Sequence, residues 1–118
     1  MGVVTRLVSS WLPVLLWAGL IFGLSSIPSL ATDLGTWDLV LRKLAHVTEY
    51  VVLGFLLLRA IGREAPAALA GVAYSVTDEI HQHFVPGRHG AVYDVVIDTV
   101  GVLIGVYLVP RLARRVTA

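Results

Sequence analysis

Three stretches of this 118-residue chain carry side chains whose types and spacing could do chemistry. Lys43, His46, Glu49 and Tyr50 recur at i, i+3, i+6 and i+7, so they share one face of a helix. Asp78, His81 and Gln82 do the same at i, i+3 and i+4, and Glu79 and His83 form a neighbouring i, i+4 pair. Asp94, Asp98 and Gly101 share a third face at i, i+4 and i+7, and Arg88 stands between the second and third groups, directly after Pro86-Gly87. Histidine beside carboxylate is a general acid–base pair. The same residue types ligate divalent metals, and His46-x-x-Glu49 with Glu79-x-His81 is a candidate ligand set. That spacing matches no diagnostic metal motif, HExxH included. No serine sits in a nucleophile motif, and the absence of cysteine removes thiolate catalysis, disulfides and cysteine-type zinc sites. Arg88 before a helix N-terminus suits a phosphate or a carboxylate, and it equally suits an anchor at lipid headgroups.

Each residue also has a plainer role. A lone His46 is more often a hydrogen-bonded structural histidine than a ligand or a base. Asp94 at a helix start stabilises the helix dipole. As an ensemble, five acids (Glu49, Asp78, Glu79, Asp94, Asp98) and two histidines (His46, His81) point to a site, with a polar network that locks helices together as the competing reading.

The elements that position these groups follow from composition. Apolar residues make up 57% of the chain and charged residues 14%, with a mean hydropathy of +0.82. A soluble domain this short cannot hide so much apolar surface, whereas a bilayer accepts it. A net charge of +1 offers no basic patch for nucleic acid. Residues 7–27 form an uncharged span. A secretory signal ending at Ser29-Leu30-Ala31 is the alternative, but the run is long and further apolar segments follow. Pro28 and residues 33–35 mark a loop, and a second helix is expected over residues 42–61. Residues 62–66 turn, with Pro66 at the first position of a third helix running to residue 84, and Pro86-Gly87 separates it from a fourth over residues 91–112. The last three are polar at one end.

The expected fold is therefore all-α: an integral membrane bundle of about four transmembrane helices, in one domain spanning residues 1–118. Both termini are expected in the cytoplasm, because that side then receives Arg6, Arg59, Arg63, Arg111, Arg114 and Arg115 against Arg42, Lys43 and Arg88 outside. Every polar helix end lands on the outer side. A carboxylate at mid-membrane costs on the order of 3 kcal/mol, so these groups should face one another. Gly101-x-x-x-Gly105 is a close-packing face, for another helix of the chain or for a homo-oligomer. Trp11 and Trp37 suit interfacial belts, and Trp17 adds little.

Lys43-x-x-His46-x-x-Glu49-Tyr50 with Leu53-Gly54, then Asp78-Glu79-Ile80-His81-Gln82 with Phe84-Val85-Pro86-Gly87-Arg88, then Asp94 and Asp98-x-x-Gly101, resembles the VanZ-like family. The three blocks stand in the family's order and cover residues 42–105. His89 departs from the small polar residue common after the arginine, and asparagine also occurs at the position of Asp98. The resemblance implies a small multi-pass protein of the bacterial plasma membrane, in a family whose namesake is linked to teicoplanin resistance. It also marks His46, Glu49, Asp78, Glu79, His81, Gln82, Arg88, Asp94 and Asp98 as motif residues.

Together these readings give a cell-envelope protein in contact with membrane lipids, with an outward polar pocket for an anionic lipid or lipid-linked wall intermediate. Lys43, Gln82, Arg88, Asp94 and Asp98 would bind it. His46, Glu49, Asp78, Glu79 and His81 would carry any chemistry, of which phosphoester hydrolysis or group transfer is the class that fits, with a divalent metal as a compatible cofactor. A non-catalytic lipid- or drug-binding protein, or a small transporter, is the alternative use of the same residues.

Overall fold

The computed structural model describes residues 2–26, 36–85 and 92–117, with no strand among them. The helices are α1 (Val3–Ser25), α2 (Thr36–Ile61), α3 (Glu64–His83), α4 (Val92–Leu103), a π-helical segment (Ile104–Leu108) and α5 (Val109–Thr117). The last three run on without a break, so the described residues form four rods, the number the sequence leads one to expect. The turn signals at Pro28, residues 33–35 and Pro86-Gly87, and Arg88 itself, lie outside the described residues.

Element boundaries differ from expectation for identifiable reasons. No glycine or proline lies between residues 36 and 42, and α2 starts at Thr36 rather than at Arg42. α3 starts at Glu64, two residues before Pro66. Proline is tolerated there because the N–H groups of a first turn have no intrahelical acceptor, and Glu64 meets the positive end of the dipole. The turn before it is made by Gly62 at φ +81°, whose N–H caps Leu58 O at 2.7 Å. At the far end the helix continues through Pro110, which lacks an N–H and crowds the carbonyl four residues back, that of Val106. The π segment contains Val106, and there Val109 N–H bonds Ile104 O, widening the helix where the proline ring must fit.

Three stretches, Val3–Ser25, Val40–Ile61 and Asp94–Val116, are long and apolar enough to cross a membrane. α3 fails that measure because its last two turns carry Asp78, Glu79, His81 and His83, yet its 20 residues span about 30 Å, the thickness of a hydrocarbon core. The bundle buries carboxylates at one end while exposing large apolar side chains. Asp78 and Asp98 are 3% and 2% exposed, while Leu15 and Leu69 are 65% and 72% exposed. Such an arrangement is stable only where the surrounding medium is itself apolar.

Successive helices run antiparallel. The end of α1, the start of α2, the end of α3 and the start of α4 meet at one end of a molecule 50 Å long. α2 packs against α1, α3 and α4. Its contact with α4 and the π segment is a backbone-to-backbone approach: a methyl group on Gly101 would lie 2.7 Å from Val47 O, and one on Gly105 would collide with Val51 O. The fully buried Val102 fits between Gly54 of α2 and Gly71 of α3. The Gly101/Gly105 face, read from sequence as equally suited to a homo-oligomer, is therefore taken up within the chain. Close approach to α2 leaves no room there for a second copy.

Candidate functional site

At the polar end the helices bring together side chains far apart in sequence. Of the four residues expected on one face of α2, Lys43, His46 and Tyr50 make contacts toward α3 and α4, while Glu49 is half-buried with its backbone oxygen accepting from Trp17 of α1. Lys43 Nζ forms an ion pair with Asp94, in the first turn of α4. One turn deeper, His46 Nδ1 pairs with Asp98 Oδ1 at 3.2 Å, and Ser75 Oγ donates to the other oxygen of Asp98 at 3.2 Å. Beside them Tyr50 donates to Asp78 Oδ2 at 3.0 Å, and Gln82 Nε2 reaches both Asp78 Oδ2 (3.3 Å) and Ser25 Oγ (3.2 Å). Three helices thus contribute to one continuous polar seam, and α1 closes its side.

The contribution of α1 is the part sequence reasoning missed. Trp17 Nε1 donates to the backbone oxygen of Glu49 at 2.8 Å, and Tyr74 donates its hydroxyl to Ala18 O. Phe22 stacks on His81 with ring centroids 4.0 Å apart and planes 9° from parallel. Ser26 Oγ donates to Phe22 O, so its single hydrogen is spent, and it accepts from His81 Nε2 at 3.3 Å. In a neutral imidazole this fixes the proton on Nε2 and leaves His81 Nδ1 a bare acceptor. That atom is buried and has no partner among the described residues. The same holds for Asp78 Oδ1.

The expected groups separate into three sets. His46, Asp78 and Asp98 converge: each offers a ligand atom, and these atoms lie within 4.8 Å of one another. Gln82 bonds Asp78 directly, and Lys43 and Asp94 pair with each other one turn before His46 and Asp98. Glu49, Glu79 and His81 are half-buried nearby, and His83 is exposed, edge-on to Phe84. The candidate metal set His46-x-x-Glu49 with Glu79-x-His81 is not the one whose donor atoms meet. Of its four residues only His46 belongs to the converging trio among the described residues. The reason is rotation: Asp78 and Gln82 occupy the inward stripe of α3, and Glu79 lies about 100° around the helix from Asp78. Ser75 was findable, since it precedes Asp78 by three residues on that stripe. Ser25, Ser26 and Trp17 carried no local signal.

The arrangement defines a polyhelical membrane protein with a buried histidine–carboxylate centre at one end. The sequence matches the VanZ/LLP1 family over residues 8–114, nearly the whole chain, and the chain belongs to that family. Neither a curated protein nor a solved structure matches it.

Proposed function

We propose that this VanZ-like protein sits in the bacterial cell envelope with its polar end outward, and that this end engages the anionic headgroup of a lipid or lipid-linked wall intermediate. Lys43, together with Arg88 of the sequence motif, supplies the positive charge that the headgroup needs. His46, Glu49, Asp78, Glu79 and His81 supply acid–base groups, and Gln82, Asp94 and Asp98 complete the headgroup-binding set. The observation that carries this reading is incomplete satisfaction: Asp78 Oδ1 and His81 Nδ1 are buried without a partner among the described residues. A network evolved only to lock helices would be expected to close on itself, since an unmet buried polar atom costs about 1–3 kcal/mol.

The locking role remains a second reading, favoured by the direct pairs Lys43–Asp94 and His46–Asp98. Transport is disfavoured. The buried side chains of the opposite half, Leu53, Leu57, Ala67, Ala68, Val102 and Val106, are apolar and give a proton or solute no polar path among the described residues.

The test has two parts. Expression in a teicoplanin-susceptible host should raise tolerance, and His46→Ala, Glu79→Ala and Arg88→Ala should each abolish that effect at normal membrane levels. The purified protein should also retain anionic lipid, detected by mass spectrometry, and Lys43→Ala with Arg88→Ala should lose it. Full activity in all three alanine variants would sink the site and leave the lock.

A further inference from the structure

We infer that His46, Asp78 and Asp98 form a binding site for one divalent first-row metal ion, held between α2, α3 and α4. This deepens the reading above and rests on it only in taking the polar end as a site rather than a lock. Four observations converge. The donor atoms of the three residues lie within 4.8 Å of one another, whereas two ligands placed on opposite sides of one ion at about 2.1 Å each are about 4.2 Å apart. Side-chain adjustment of up to about 0.6 Å closes that gap in an octahedral site, and a tetrahedral one needs more. His46 Nδ1 and Asp98 Oδ1 are 3.2 Å apart, and two ligands about 2.1 Å from a metal subtend about 3.0–3.4 Å at tetrahedral or octahedral angles.

The third observation is Asp78 Oδ1. Asp78 is 3% exposed, its Oδ2 is taken by Tyr50 and Gln82, and Oδ1 meets no donor among the described residues. A carboxylate oriented by two donors on one oxygen, with the other bare, is prepared as a ligand. The fourth is charge. Two carboxylates side by side in an apolar surround repel each other strongly, and the hydrogen bonds they accept come from Tyr50, Gln82, Ser75 and His46. Lys43 is engaged with Asp94. One divalent cation with two carboxylates and a neutral imidazole makes a centre of zero net charge.

The donor set selects the ion class. One imidazole with two carboxylates suits zinc, manganese or iron(II), while magnesium and calcium prefer all-oxygen shells. Ser75, which donates to Asp98 Oδ2, is a positioning residue for that ligand.

The test uses the full chain purified in detergent without a polyhistidine tag or chelator. Metal content by mass spectrometry should approach one equivalent per chain. After stripping, Zn²⁺ or Mn²⁺ should raise the unfolding temperature saturably, and Mg²⁺ at the same concentration should not. Asp78→Asn and Asp98→Asn, near-isosteric and checked for helix content, should lose the shift, as should His46→Gln. Ser75→Ala should weaken it about ten-fold, the size of loss typical when a ligand's supporting hydrogen bond is removed. Glu64→Gln, at the opposite end, should bind like the wild type. Metal-free wild-type protein with no response to Zn²⁺, Mn²⁺ or Fe²⁺ overturns the inference, as does a response that survives in all three ligand variants. Lipid retention, measured on the same samples, reports separately on the headgroup proposal. Lost metal binding with Lys43- and Arg88-dependent lipid removes only the metal site.

Discussion

At Asp78 the two carboxylate oxygens live differently: one accepts from Tyr50 and Gln82, and the other meets no donor among the described residues. The Tyr50 hydroxyl is therefore half of what holds this buried charge in place, and Tyr50 is itself fully buried. Tyr50→Phe keeps the packing and removes only that donor. It should cost about 1–3 kcal/mol, the usual loss when a buried charged acceptor is stripped of a bond. Unfolding in mixed detergent should register it as a clear drop in midpoint. Thr48→Val should change little, because Thr48 is exposed and bonds only to Leu44 O in its own helix. At this scale the sequence was informative wherever a helix repeats its face. The Lys43, His46, Tyr50 stripe and the Asp94, Asp98 stripe point inward as their spacing predicts. It was silent about partners across 50 residues or more, such as Gln82 with Ser25, because those depend on how the helices pack.

The helices themselves owe their spacing to three small residues. Gly54, Gly101 and Gly105 bring the α2 and α4 backbones into contact, and the same approach sets how far His46 stands from Asp98. Gly101→Ala or Gly105→Ala must push the helices apart. Overpacking of that kind costs about 1–3 kcal/mol, and it should also weaken whatever the polar end binds. Gly19→Ala and Gly23→Ala place a methyl in open space and should be neutral or slightly stabilising. Thermal unfolding of the four single variants checks the contrast, and equal losses in both pairs would contradict the packing account. The glycine spacing was visible in the sequence, but its partner was not, since a small-residue face serves a neighbouring helix and a second chain equally well. The π segment was illegible for another reason. A fourth helix expected over residues 91–112 already runs through Pro110, and no residue type in 104–108 marks the widened turn that accommodates it.

For the whole molecule the decisive question is whether α3 crosses the bilayer, because it alone fails a hydropathy measure. The other three rods cross on composition, so the sidedness of the two ends of the described chain depends on α3. Within its polar turns Asp78 and Gln82 are buried and His81 is covered by Phe22, which removes much of the cost that hydropathy assigns them, while His83 is exposed at the helix end. Its exposed positions include Leu69, Val76 and Ile80, which suit acyl chains. α3 should therefore span, placing Gly2 and Val116 on one side and Phe84 on the other. The chain has no cysteine, so single substitutions at these three exposed positions report sidedness cleanly. An impermeant thiol reagent added to intact cells should label Phe84→Cys, while Gly2→Cys and Val116→Cys should react only after lysis, as the arginine bias requires. Labelling of both termini in intact cells would invert the orientation and put the histidine–carboxylate centre on the cytoplasmic side. Labelling of one terminus alone would mean that α3 does not cross. A carboxylate pair would then have to be sheltered by a bundle with one rod lying outside the membrane.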